Sequence, residues 1–372
     1  MERYFLGSNT HSGFAGFYDE VTDNINRVYL LKGGAGTGKS SLMKKVLKRG
    51  VELGYCCESW HCSGDPNSLD GVYIKDIDVA VIDATSPHAV EPKIPAVKDD
   101  IVNLLEYVDK DKLYKHREAI EKLSKCKKEC YMLGYEHLNI GYCHFKQSMR
   151  IVVSTMDRGA IIERAREFAH DILKEMHCAS DIIKTDFKGG FDGEDLYHKE
   201  RKDRVGKRFF RAITPDGVVA YFDHIEGKNL WHIKGESASV DLFLKTVIDT
   251  VVQHRKRDDG LPVMVFFNPL DSRIIDGLVI GDIAVHREVG KVEGAMVYDL
   301  RWYEGDFDKY AVSRGKAKMK DEIDMAVDYF SKARSIHMGI EKYYISAMDF
   351  DGIDRRTECL IEEIFQGRDR FE

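Results

Sequence analysis

No stretch of the 372 residues is long and apolar enough to suggest a membrane span. The most apolar runs, such as Val263-Met264-Val265-Phe266-Phe267, have the length of a buried strand. The opening MERYFLGSNTHSG holds no signal-peptide core, so a cytoplasmic protein is expected. The eight cysteines contain no CxxC pair and no disulfide-like framework, which points to reduced thiols in the same compartment. Cys126 and Cys130 stand four apart in a helical pattern near His137, Cys143 and His144, but the spacing fits no zinc module and reads as ordinary buried thiols. A surplus of positive charge is also lacking. With 56 Lys and Arg against 63 Asp and Glu the net charge is -7, which argues against a protein that coats nucleic acid.

What is present is the composition of a globular protein, 43% hydrophobic and 32% charged, in a chain long enough to favour two domains. Its most informative segment is GGAGTGKS, Gly33 to Ser40, which follows the apolar run Val28-Tyr29-Leu30-Leu31 and precedes the helix-like stretch Ser41 to Leu47. Glycine-rich backbone over Gly33, Gly34, Ala35, Gly36, Thr37 and Gly38 can wrap a phosphate with its N–H groups turned inward. The helix that starts at Lys39, Ser40 and Ser41 adds the positive end of its dipole. Lys39 is expected to reach the β- and γ-phosphates and Ser40 to hold Mg²⁺. Strand before and helix after make this a P-loop in context rather than a bare pattern match.

The chain also repeats itself. Arg3-Tyr4-Phe5, Gly13 and Phe17-Tyr18-Asp19 recur as Arg208-Phe209-Phe210, Gly217 and Tyr221-Phe222-Asp223. Leu31-Lys32-Gly33 matches Ile233-Lys234-Gly235, Asp70-Gly71 matches Asp276-Gly277, and Leu104, Tyr107 and Tyr114 match Leu300, Tyr303 and Tyr310. The preserved order predicts a tandem duplication: a first domain over 1–186, an exposed charged linker over 187–206 and a second domain over 207–372. In the second copy Lys39 is replaced by Asp241, Ser40 by Leu242 and Gly38 by Val240. A carboxylate repels phosphate, leucine offers magnesium nothing and valine resists the dihedrals glycine adopts, so this copy is expected not to bind nucleotide.

Around the motif the predicted order is strand 28–32, helix 39–53, strand 56–62 and strand 78–83, an α/β fold with a mainly parallel sheet. The strand Ile77 to Asp83 ends in a carboxylate, and Asp83 is expected at the magnesium ion, directly or through water. No glutamate follows it. On the next loop, His88 or Glu91 is the candidate for orienting a water or sensing the γ-phosphate. His61 is a further candidate, since Phe267 replaces it in the copy without a P-loop, whereas Asp65 and Asp70 persist as Asp271 and Asp276 and read as turn residues. Helical, charged segments follow in each copy, over 101–183 and 316–365, and are candidates for a lid or partner surface.

In LLKGGAGTGKSSLMKKV, HCSGDPNSLD and VAVIDATSPH, together with the duplicated opening, the chain resembles a poorly characterised family of bacterial P-loop ATPases with tandem domains. The resemblance implies a cytoplasmic ATP-binding protein, and this chain departs from it in the lost second loop. The expected cofactors are ATP and Mg²⁺, with ATP favoured over GTP because the base-reading tetrapeptide NKxD is absent. The leading expectation is an ATPase or nucleotide switch in which the two copies form an intramolecular pseudo-dimer, with an arginine such as Arg273 or Arg287 reaching the γ-phosphate. The alternative is a phosphotransferase acting on an unknown small acceptor.

Overall fold

The computed structural model describes residues 1–87, 89–176, 205–254, 263–287 and 294–366. The first repeat lays down β1 (Glu2–Phe5), a hairpin of β2 (Gly7–Thr10) and β3 (Gly13–Gly16), a short α1 (Tyr18–Asp23), β4 (Arg27–Lys32) and α2 (Lys39–Glu52). It continues with β5 (Cys57–His61), β6 (Leu69–Ile74), β7 (Val79–Asp83), β8 (Asp99–Asn103), α3 (Lys110–Tyr114), α4 (Arg117–Val153) and α5 (Arg158–Glu175). The second repeat follows the same plan: β9 (Val205–Arg208), the hairpin β10 (Arg211–Thr214) and β11 (Gly217–Ala220), β12 (Asn229–Lys234) and α6 (Ser237–His254). Then come β13 (Val263–Phe267), β14 (Ile275–Ile280), β15 (Ile283–Arg287), β16 (Met296–Asp299), α7 (Lys309–Ser346) and α8 (Phe350–Gln366).

Two six-stranded sheets result, in the orders β1-β5-β6-β7-β4-β8 and β9-β13-β14-β15-β12-β16. In each, one strand runs against both neighbours, β6 in the first and β14 in the second, and the other pairs are parallel. Even the irregularity is duplicated, falling between Trp60 and His61 in β5 and between Phe266 and Phe267 in β13. The expectation of an α/β chain with two similar, mainly parallel sheets therefore holds. Apolar runs such as Val28 to Leu31 and Val79 to Ile82 form strands without alternation because both faces of the mainly parallel sheet are buried there.

The chain folds into two compact units that cut across the repeat boundary. One consists of Met1–Gly141, Phe209–Asp223 and Asp321–Glu372, the other of Tyr142–Arg208 and His224–Lys320. Each sheet is thus completed by helices from the opposite repeat. In the first unit α8 packs on α2, burying Leu360 and Ile364 with Leu42, Met43 and Val46. In the second α5 packs on α6, with Phe168 against Phe243. One backbone contact recurs in both units: the Asp349 N–H donates to Tyr107 O at 2.8 Å, and the Asp157 N–H to Tyr303 O at 2.7 Å. The exchange is therefore reciprocal. Most of the expected linker, with its basic residues, lies outside the described residues.

The first unit also gathers both hairpins. Phe5 and Phe209 exchange backbone hydrogen bonds at 2.9 Å, and Asn9 Nδ2 donates to Ile213 O. Arg3 closes on Asp223 through both its Nε and Nη2 at 2.8 Å.

Candidate functional site

In the first unit β4 and β7 are parallel neighbours, so Lys32 and Asp83 emerge at the same sheet edge and the loop 33–38 leaves between them. Gly36 (φ +67°) and Gly38 (φ +88°) adopt left-handed conformations that an L side chain enters only with strain, and Gly38 is the N-cap residue of α2. No side chain caps this helix start and no acidic residue lies in its first turn. The positive end of the helix dipole therefore lies at the end of the loop.

Lys39 folds back across the loop. Its Nζ donates to Gly33 O at 3.0 Å and Gly34 O at 2.7 Å and lies 3.6 Å from Asp83 Oδ2. Thr37 Oγ1 donates to Gly34 O, Ser40 Oγ accepts from the Leu69 N–H at 3.0 Å, and Asp83 Oδ1 accepts from the Thr85 N–H at 2.9 Å. Lys39, Ser40 and Asp83 are thereby gathered in one place, with the backbone of Gly33 to Gly38 around them. A hydroxyl and a carboxylate are oxygen donors of the kind Mg²⁺ accepts alongside water and phosphate.

The other candidates are placed differently. Glu91 is 74% exposed and pairs with Lys32 Nζ at 2.8 Å, next to the Ala84 and Val90 carbonyls that the same ammonium binds. His88 lies outside the described residues. His61 is committed to packing: Nδ1 meets Pro66 O at 2.8 Å and the Tyr221 hydroxyl at 3.2 Å, and burial lowers its pKa. Asp65 takes the Ser68 hydroxyl at 2.7 Å and Asp70 takes the Tyr18 hydroxyl at 2.9 Å, as turn and core residues. Arg273 spends its guanidinium on Asp271 and Tyr142, and Arg287 on Asp276 and Ser237, all within the second unit.

Residues that sequence reasoning missed come from the helices. A Cβ on Gly34 would lie 2.6 Å from the Tyr344 ring, and one on Gly36 would lie 3.0 Å from Ile345 and 3.2 Å from Glu341. Glu341 thus lies against Gly36, and burial and nearby Asp65 raise the pKa of its carboxyl. Lys127 Nζ stands 3.3 Å from His337 Nδ1, and His337 Nε2 stands 3.7 Å from Glu341 Oε1. Burial, with Lys127 and Lys39 close by, pushes His337 down to about 4.

The equivalent place in the second unit is filled from within. Helix α6 starts a full turn earlier in the repeat than α2, removing the loop. The buried Glu304 carboxylate accepts from the Glu236 N–H and the Ser239 hydroxyl at the helix start. Its counterpart in the first repeat is Val108, so the copy without the glycine-rich loop supplies its own anion at the exposed amides. Asp241 accepts from the Ile275 N–H at 2.9 Å, the position where Ser40 accepts from the Leu69 N–H in the first unit.

Among the described residues no group of three or more His, Cys, Asp and Glu forms a metal cage, and no helix is long and apolar enough to cross a membrane. No protein-family model matches the chain, and no curated protein or solved structure matches it either.

Proposed function

We propose that the first unit binds Mg²⁺-ATP through a P-loop at Gly33 to Ser40 and acts as an ATPase or nucleotide switch, with the second copy nucleotide-incompetent. The observation that carries this reading is the convergence of Lys39 with Asp83 at adjacent strand ends beneath a glycine-rich loop that opens a helix. Lys39 spans the Gly33 and Gly34 carbonyls, a position from which its ammonium can turn to a phosphate without rebuilding the backbone. Backbone amides of the loop and the dipole of α2 then hold the phosphate oxygens, and Lys39 neutralises charge on the transferring group. Ser40 and Asp83 would hold Mg²⁺, which supplies charge neutralisation between the β- and γ-phosphates.

Nucleotide incompetence of the second copy follows from Glu304. A phosphate approaching α6 meets a carboxylate already bonded to the amide it needs, and Asp241 where a lysine is required.

The test is phosphate release and binding of Mg²⁺-ATP by the purified protein beside Lys39→Ala. Loss of a P-loop lysine that pairs with the β- and γ-phosphates removes at least two charge-assisted hydrogen bonds, so affinity is expected to fall by about tenfold or more. Unchanged binding in Lys39→Ala would sink the assignment.

A further inference from the structure

The two units provide a built-in comparison, because the same helical positions face a glycine-rich loop in one and none in the other. Asp349 and Asp157 make the same backbone contact and fix the register. Carried along the uninterrupted helices α4 and α7, that register sets Lys127 against Met319, His337 against Phe145 and Glu341 against Met149. The loop positions correspond as well: Gly36 matches Ala238. Met149 packs with Ala238, Val152 and Val312 in an apolar cluster, just as Glu341 lies against Gly36. Three polar residues around the glycine-rich loop are thus apolar around its degenerate counterpart. Packing alone needs no charge at these three positions, although in the second unit α7 meets the loop counterpart through a different pair, Lys316 with Glu236.

The cluster also gathers titratable groups beside the loop. Lys127 and His337 place two basic groups 3.3 Å apart within the electrostatic reach of Lys39, where burial lowers the Lys127 pKa. Only Glu341 and Asp65 offset this concentration among the groups that act on His337 or Lys127. Glu341 lies against Gly36, so its negative charge stands beside the loop that a nucleotide phosphate would enter.

We infer that Lys127, His337 and Glu341 form a terminal-phosphate sensor: Lys127, supported by His337, binds the terminal phosphate of a nucleoside triphosphate, and Glu341 is the resident anion beside Gly36 that this phosphate displaces. The inference rests on the P-loop reading and adds to it the residues that distinguish triphosphate from diphosphate. Phosphate entry repels Glu341 and attracts Lys127, so occupancy of the loop is transmitted directly to α7 and α4, the helices that carry these side chains. No bond is made or broken in this step, and the free energy comes from exchanging one anion for another beside the same loop.

The experiment is calorimetric titration of the full chain with Mg²⁺-ATP and Mg²⁺-ADP, for the parent protein, Lys39→Ala, Lys127→Met, Lys127→Arg and Glu341→Gln, each checked for an unchanged melting profile. Lys127→Met installs the residue present at the matching position, and is expected to weaken ATP by about tenfold while leaving ADP within about twofold, the loss of one charge-assisted contact to the terminal phosphate. Lys127→Arg should restore the preference for ATP. Glu341→Gln should tighten both nucleotides, because the competing carboxylate is gone. If Lys39→Ala loses binding while the ATP-to-ADP ratio is the same in Lys127→Met as in the parent, the sensor is wrong and the P-loop reading survives. If the parent and Glu341→Gln bind neither nucleotide, both fall together.

Discussion

Single side chains decide what each copy can do, and the pair Ser40 and Asp241 makes the point. Both satisfy the backbone amide at the start of the antiparallel strand, Leu69 of β6 in one unit and Ile275 of β14 in the other, so that structural task is kept. Only the first leaves a neighbouring lysine beside a strand-end carboxylate. The same economy governs Arg3 and Asp223, which fasten β1 to the hairpin of the other repeat through a two-pronged contact at 2.8 Å. That hydrogen bonding holds the Asp223 carboxyl below its ordinary value of 3.8. A depressed carboxyl stabilises the fold above its unfolded pKa, and the contribution disappears as pH falls through the folded value. Arg3 is 43% exposed, so the contribution is on the order of 1 kcal/mol. Asp223→Asn should therefore be less stable than the parent at neutral pH, with the gap narrowing as acid titrates the parent below pH 4 or so. Urea unfolding of both proteins across that range measures it, and a gap that stays constant into acid would contradict the assignment.

At the scale of elements, β4 and β7 were legible because apolar runs of four or five residues leave few alternatives once a P-loop-like motif fixes where one of them ends, whereas β6 was not singled out and β8 reaches into the stretch over 101–183 that reads as helical. The helix after Gly38 was equally plain, with Leu42, Met43 and Val46 making one stripe. The partners of the long helices were not legible. An amphipathic stripe such as Ile161, Ala165, Phe168 and Ile172 in α5 specifies that a face is buried without specifying which sheet covers it, and both repeats offer nearly the same sheet. For that reason Lys127, His337 and Glu341 escaped attention, although the polar-to-apolar difference between the repeats was available in the sequence. The exchange has a direct consequence for Leu360, which lies in the second repeat and is buried on α2 in the first. Leu360→Ala should cost about 2–4 kcal/mol by leaving a cavity beneath α2. Hydrogen exchange should quicken in β4 and β7 and stay unchanged in β12 and β15. Faster exchange confined to the second sheet would mean that α8 serves its own repeat.

For the whole molecule, reciprocal exchange makes the two repeats inseparable without unfolding. The unit that contains the glycine-rich loop needs Tyr344, Leu360 and the hairpin around Phe209 from beyond residue 206, and the other unit needs α5 from before residue 177. Covalent continuity between the repeats is therefore dispensable once folding is complete, whereas the presence of both is required. A specific protease site inserted between Gly189 and Gly190 tests this. After cleavage the fragments should co-elute on gel filtration and keep the Mg²⁺-ATP affinity measured for the intact chain, because separating them would expose the apolar faces of α2 and α6 together. Residues 1–186 produced alone should bind no nucleotide, although they contain Lys39, Ser40 and Asp83, since the helices that roof the loop are missing. Dissociation of the cleaved chain into two stable, separately folded fragments would show that the repeats, rather than the exchanged units, are the bodies that fold.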